Sequence, residues 1–345
     1  MLLHWIWLAH RPGITDRMKL KLLQHFQDPE DIYFADGESY RHVEGMTAEA
    51  AESLQEKTLA AAEAVLQACR RENLHILTYQ DAAYPSKLKN IADPPILLYY
   101  KGNLPDFDAL PVIGVVGTRK ASAYGMQTAK RMGYQIARCG GIVVSGMAAG
   151  VDGAATSGAL TAGGSTVGVL GCGVDVVYPL SNKMLFGEME HFGCLISECL
   201  PGTPPYKWNF PRRNRLISGL SNGVLVAEAP TKSGALITAR QALEQSVALK
   251  PSVWALRCLF CIAVEEGDNQ LAEQYYDRVF TMDGAYVDFA FEPFCTLYDG
   301  IIALANSINF KVVFNGKSAK SIVKYCSSDN LAEVTDFKMH IGKGI

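Results

Sequence analysis

Val112-Ile-Gly-Val-Val116 runs into Gly117-Thr-Arg-Lys120, and Gly141-Ile-Val-Val-Ser145 runs into Gly146-Met-Ala-Ala-Gly150-Val-Asp152. Each is a short β-branched run that ends in glycine. Helical spacing follows each, near 124–138 and 151–162. The pattern recurs downstream. Thr166-Val-Gly-Val-Leu170 precedes a helix near 181–191, Cys194-Leu-Ile-Ser197 one near 211–221, and Val224-Leu-Val-Ala227 one at about 234–246. Apolar strands alternating with helices predict a parallel sheet covered on both faces. The expected fold class is α/β, a Rossmann-like, doubly wound, mostly parallel sheet. Ligands on such sheets bind beyond the carboxyl ends of the strands, so the chemistry belongs in the loops just named.

Upstream, residues 1–72 read as a small helical domain. Asp28-Pro29-Glu30 starts one helix, and Thr47-Ala-Glu-Ala50 starts a long Ala/Glu-rich one with Ala where a capping box has Glu. The turns Pro12-Gly-Ile-Thr15 and Val43-Glu-Gly-Met-Thr47 resemble helix-hairpin-helix turns, which hold phosphates on backbone N–H groups. The acidic balance of this region weighs against DNA there. Residues 73–110 are a connector with strands at Leu74–Thr78 and Ile96–Tyr100, and 73–256 form the sheet domain. Residues 257–345 are left unassigned.

The 345-residue chain carries 32 Lys+Arg against 35 Asp+Glu, a net charge of −3. The total conceals a split. Residues 1–110 hold 11 basic and 16 acidic side chains, residues 111–250 hold 13 and 7, and residues 251–345 hold 8 and 12. A basic middle between acidic flanks is the footprint of an anion-binding domain. Hydrophobic residues at 49% exclude general disorder. No apolar stretch reaches the length of a membrane span, and the 9 cysteines show no disulfide framework, so a cytoplasmic protein is expected. Cys258-Leu-Phe-Cys261 has CxxC spacing but no second pair; buried thiols are the simpler reading, and no metal is expected.

Glycines at strand ends let backbone N–H groups approach an anion. No dinucleotide fingerprint and no P-loop is present. Lys207-Trp-Asn-Phe-Pro-Arg-Arg-Asn-Arg215 interleaves basic and aromatic groups, the chemistry of single-strand binding. The candidate nucleic-acid-binding residues are Gly117, Thr118, Arg119, Lys120, Gly146, Met147, Ala148, Lys207, Phe210, Arg212, Asn214, Arg215, Lys232, Ser233 and Gly234. Ser145, Ser197 and Ser233 are possible nucleophiles, but no histidine lies in the strand-end loops. Asp152 and Glu228 sit at strand ends, placed to orient Arg side chains or a helix N-terminus; as a paired acid and base they are the carboxylates an enzyme would use, without further support in the sequence. The expectation is a binding protein without catalysis or cofactor. The alternative is a Rossmann-like enzyme acting on a nucleotide or phosphoribosyl group.

Several stretches together resemble the DNA-processing protein A family, also called DprA or Smf. They are Tyr84-Pro-Ser-Lys-Leu88 with Asp93-Pro-Pro95, Val116-Gly-Thr-Arg119, Ser145 through Asp152, Tyr178-Pro179, Ile196-Ser-Glu198, Phe210 through Arg215, and Val226 through Ala239. The resemblance covers about residues 1–256. It implies a homodimer that binds and protects incoming single-stranded DNA and helps load RecA recombinase during natural transformation. It places the phosphate-contacting arginine at Arg119 and the lysine and stacking aromatic at Lys207 and Phe210. Asn214 and Arg215 are then expected to shape the same pocket. Thr156 stands where members usually carry His. Ser252–Leu256 is the expected next strand, but Arg257 and Cys258 replace the family's Pro-Gly. Beyond them nothing is recognisable, and no winged-helix pattern occurs. A foreign module, a fused neighbour and an out-of-register translation stay open for 257–345.

Overall fold

The structure, a computed structural model, describes residues 1–230, 233–249, 253–266 and separate positions up to 278. Contacts divide the chain into two units, Met1–Ala227 and Glu228–Ile345.

The first unit is built on a seven-stranded sheet of order β1-β2-β6-β5-β4-β3-β7. The strands are β1 (His75–Thr78), β2 (Leu97–Gly102), β3 (Val112–Val116), β4 (Ile142–Ser145), β5 (Thr166–Leu170), β6 (Cys194–Ser197) and β7 (Gly223–Val226). β3 to β7 pair in parallel, with Ile113 set between Val143 and Gly223. β1 and β2 form the edge, β2 running antiparallel to both β1 and β6. This is the expected mostly parallel α/β sheet. β4 and β5 are buried along their whole lengths, which is why they read as continuous apolar runs.

Four helices position the strand-end loops. α8 (Ala123–Arg138), α9 (Val151–Thr161) and α10 (Lys183–Phe192) each connect a strand to its neighbour. α11 (Asn209–Leu220) instead carries the chain from β6 back across β5, β4 and β3 to β7. Right-handed crossovers put α11 on the opposite face from the other three. α8 and α9 touch backbone to backbone. A Cβ on Gly133 would lie 2.0 Å from the Ala155 carbonyl oxygen, and one on Gly158 would lie 2.0 Å from that of Lys130. This close crossing draws the loops after β3 and β4 together.

Before the sheet come α1 (Leu2–Ala9), α2 (Asp16–Phe26), α3 (Pro29–Phe34), α4 (Gly37–Arg41), α5 (Ala48–Gln55), α6 (Ala60–Arg71) and, after β1, the single turn α7 (Ser86–Lys89). Asp28 caps α3, and Thr47 caps α5 through the Ala50 N–H. The long Ala/Glu-rich helix expected from Thr47 is interrupted between α5 and α6. Long-range contacts cause the break. The Glu56 carbonyl accepts from Trp7 Nε1 at 2.9 Å and from Arg11 at 3.1 Å. Lys57 enters a ring of aromatics, with its ammonium 5.4 Å from Trp7, 5.4 Å from Tyr33 and 5.0 Å from Tyr40. Burial, with Arg11 nearby, pulls its pKa down to about 8. The two glycine turns adopt a left-handed backbone, Gly13 at φ 72 and Gly45 at φ 82. The Glu49 carboxylate is 3.5 Å from the Cβ position of Gly13, which sets an acidic group beside the first turn.

The second unit contains α12 (Gly234–Leu249) and α13 (Val253–Glu266). Of the strand expected at Ser252–Leu256, the described residues Val253–Leu256 are helix instead. Ala255, Leu256, Leu259 and Ala263 recur at helical spacing and are buried together with Val247 and Tyr275. Cys258 lies on this helix as a reduced thiol. Most of 257–345, with every reading offered for it, lies outside the described residues. Among the described residues no helix is long and apolar enough to cross a membrane, and no group of His, Cys, Asp and Glu could hold a metal.

Candidate functional site

Beyond the carboxyl ends of β3, β4 and β5 lies a cleft of about 60 Å³. Arg119 comes from the loop after β3, Gly146, Ala148 and Ala149 from the loop after β4, and Gly171 and Cys172 from the loop after β5. Phe210 and Arg213 enter from α11, and Tyr178 and Pro179 close one side. The cleft therefore sits over the centre of the sheet rather than at the β3–β7 switch point, where such folds commonly bind ligands.

Phe210 is the hub. Its ring centroid lies 5.5 Å from that of Tyr178. The guanidinium carbons of Arg119 and Arg213 lie 5.4 Å and 5.9 Å from it. Cations over a ring face are attracted by its quadrupole. Phe210 is half-buried, while Arg119, Lys120 and Lys207 are exposed. Arg119 is held at the cleft by its loop. Gly150, at φ 81, leaves no room for a side chain, because a Cβ would lie 2.3 Å from the Thr118 carbonyl oxygen. That carbonyl accepts from the Val151 N–H at 3.2 Å, and Thr118 Oγ1 accepts from the Lys120 N–H at 3.2 Å. Met147 adopts a left-handed backbone, φ 57, and Asn182 Nδ2 donates to both the Met147 and Ala148 carbonyls at 3.0 Å.

Three N–H groups of the glycine loops after β3 and β4 are not open to a ligand. Those of Gly117, Gly146 and Ala148 donate to the Asp152 carboxylate. The Gly153 N–H at the start of α9 goes to the Ala148 carbonyl at 3.1 Å. The anion cradle expected from the glycines is thus filled by the protein's own carboxylate. Asp152 is fully buried, and burial pushes its pKa up while Arg213 opposes that. Arg213 is buried too. It donates to the Gly146 carbonyl at 2.8 Å and to that of Val169, and burial, opposed by Asp152, lowers its pKa to about 10. The exposed positive charge of these loops is carried by the side chains of Arg119, Lys120 and Lys207.

The remaining arginines of the 207–215 segment do other work. Arg215 is 5% exposed and binds three carboxylates, Glu198 at 2.8 Å, Asp93 at 2.9 Å and Asp16 at 3.2 Å. Arg212 shares two of them, Asp16 at 2.7 Å and Glu198 at 3.3 Å, with its side chain 57% exposed. Lys19 completes the cluster, 3.1 Å from Asp16. Burial alone would raise the Asp16 pKa, but Lys19, Arg212 and Arg215 together bring it below its usual value. This cluster fastens α2 to α11, the connector and the end of β6. Asn214 Oδ1 accepts from Arg213 Nε at 3.3 Å. Arg215, expected in the pocket, instead belongs to this cluster, because it is one helical turn from Arg212 on the same face of α11.

Ser145 and Ser197 are buried and donate to main-chain carbonyls, Ser145 to Val115 at 2.6 Å and Ser197 to Cys172 at 2.6 Å. Thr156 is fully buried in α9. Lys232 lies outside the described residues. Ser233 and Gly234 open α12 in the second unit, where Ser233 Oγ accepts from the Ala235 N–H at 3.3 Å.

A sequence profile of the family described as DNA recombination-mediator protein A matches residues 75–283. The chain belongs to that family. The match continues past residue 256, where the sequence resemblance had ended. DNA processing protein DprA of Bacillus subtilis is 44% identical over 181 residues, 52% of this chain and 61% of the relative. Protein Smf of Synechocystis is 37% identical over 246 residues, 70% of this chain and 62% of the relative. The chain thus spans about three fifths of the length of these two relatives. Among solved structures, DNA processing protein A of Streptococcus pneumoniae is similar with a TM-score of 0.62 and 35% identity, over 71% of this chain and 84% of that one. The Rossmann-like sheet is thus that of a recombination-mediator protein A. Within that frame the cleft adds Tyr178, which the sequence offered only as part of a matching dipeptide. Its packing on Phe210, a contact between distant loops, is the missing signal.

Proposed function

We propose that this protein binds single-stranded DNA in the cleft without reading its sequence, and that it mediates recombination by handing the strand to RecA recombinase. Arg119, Lys120 and Lys207 take the phosphates, and a base stacks on the Phe210–Tyr178 pair. Arg119 beside the Phe210 ring carries this reading, a cation and an aromatic side by side at an exposed strand end. Thr118, Gly117, Gly146, Met147 and Ala148 act by shaping that wall. Family membership supports the recombination role. The RecA partner, the homodimer, the part in natural transformation and the cytoplasmic setting follow from the resemblance. The protein acts by binding and carries out no chemistry on the strand.

The nucleotide-enzyme alternative needs an open anion cradle and a reactive carboxylate. Asp152 closes the cradle and is engaged by backbone donors and Arg213, which weighs against it. Titration of the intact chain with labelled oligo-dT, then with dTMP as competitor, tests the reading. Oligo-dT is expected to bind and dTMP to compete only at far higher concentration. Tight dTMP binding with no oligo-dT binding overturns it.

A further inference from the structure

A second opening of the first unit takes no part in the cleft. It is a groove of about 820 Å³ between the α1–α2 turn and the loops after β6. Asn209 lines the groove and Phe210 lines the cleft, so consecutive residues separate the two. On the groove side stand Tyr206 and Trp208. Their rings are 4.6 Å apart and 7° from parallel.

Trp208 is 70% exposed and Tyr206 44%. Large aromatics in soluble proteins are mostly covered, so an open stacked pair is a surface with a purpose. The pair is also held in place. The Gly202 N–H donates to Asp175 at 2.8 Å, the Tyr206 N–H to Pro204 at 2.8 Å and the Asn209 N–H to Tyr206 at 3.1 Å. A preorganised stack loses little entropy when a third ring joins it.

The charge of the groove fits an anion. Asp16, Asp93 and Glu198 line it, but each is bound by Arg212 or Arg215. Arg17, also on its wall, is exposed and has no carboxylate within ion-pair distance among the described residues.

We propose that this groove is a second nucleic-acid subsite. A single strand leaving the Arg119–Phe210 cleft stacks a base on the outer face of Trp208 and turns its phosphates toward Arg17. The proposal rests on the single-strand reading of the cleft.

The test compares two labelled oligo-dT probes, about 5 and about 20 nucleotides long, on the intact chain by fluorescence anisotropy. Trp208→Ala is expected to weaken the long probe about tenfold, the loss of one stacked base, and to leave the short one within about twofold. Trp208→Phe is expected to restore the long probe. Arg17→Ala is expected to lower the salt slope for the long probe by about 0.7. Thermal melts establish that each variant is folded. If Trp208→Ala spares the long probe, or weakens both equally, while Arg119→Ala weakens both, the subsite is wrong and the cleft stands. If the intact chain binds neither probe, the cleft reading fails and the subsite falls with it.

Discussion

Asp152 and Arg213 both crowd the Cβ position of Gly146: a Cβ on that glycine would lie 2.6 Å from Asp152 Oδ2 and 2.6 Å from Arg213 Nη2. The two buried charges and the missing side chain form one arrangement. The carboxylate gathers the loop N–H groups, the guanidinium balances it, and the glycine leaves them space.

Removing one partner strands the other in the interior, which typically costs about 3–5 kcal/mol. Asp152→Ala is therefore expected to lower the unfolding free energy by that order. Gly146→Ala forces the pair to move and is expected to cost about 1–3 kcal/mol, as overpacking does. Urea unfolding followed by circular dichroism measures both. A wild-type midpoint for Asp152→Ala contradicts the pairing.

Arg215 and Arg119 are expected to separate stability from binding. Arg215→Met leaves Asp16, Asp93 and Glu198 without their shared cation, so the melting temperature drops sharply. Arg119 is exposed and belongs to the cleft, so Arg119→Ala is expected to keep the melting temperature and weaken oligo-dT. A paired thermal melt and anisotropy titration on each variant decides this. The reverse pattern would exchange their roles.

Phe210 offers its ring to Arg119, Arg213 and Tyr178 at once. Phe210→Ala is expected to weaken oligo-dT by about tenfold, the effect of one lost base–aromatic stack. Phe210→Tyr keeps the ring and is expected to stay within about threefold of the wild type, since stacking needs the π-face alone. Equal losses in the two variants would mean that the ring supports the fold rather than the strand.

His10 gives the N-terminal part a specific acid sensitivity. Its Nε2 is 2.8 Å from the Tyr99 hydroxyl. Burial, with Lys19 nearby, lowers its pKa from 6.5 to about 3. Between those values the unfolded chain binds a proton that the folded chain does not, so stability falls as pH drops through this window. Asp16, with a lowered pKa, adds a loss only below its ordinary value of 3.8. His10→Gln is expected to flatten the pH dependence of urea stability between 6.5 and 4. An unchanged slope would show that other groups set it.

The strands at 112–116, 166–170 and 194–197 were legible because buried parallel strands are short apolar runs, the first two running into glycine. The run from Val253 was not, since Val-Trp-Ala-Leu suits a strand or a helix equally and only packing chose the helix. The break after Gln55 depends on Trp7, Arg11 and the Lys57 aromatic box, partners that no local window contains. The basic-aromatic segment pointed to the right place on the sheet. Sorting its arginines required their partners: Arg212 and Arg215, three residues apart, share a face turned to remote carboxylates, while Arg213 points under the cleft. The glycine loops misled for a related reason. Their free donors were visible, but Asp152, only 6 residues after Gly146, was read as orienting an arginine or a helix N-terminus and not as the acceptor of the loop N–H groups.

The central claim is tested by the salt dependence of oligo-dT affinity for the intact chain and for the Arg119→Ala, Lys207→Ala double variant. Each phosphate neutralised on a single strand contributes about 0.7 to the slope of log K against log salt. The wild type is expected to bind with a steep negative slope, and the double variant to bind more weakly with a slope shallower by about 1.4. Binding that is insensitive to salt, or a slope that the double variant leaves unchanged, would contradict the claim that these side chains hold a DNA strand.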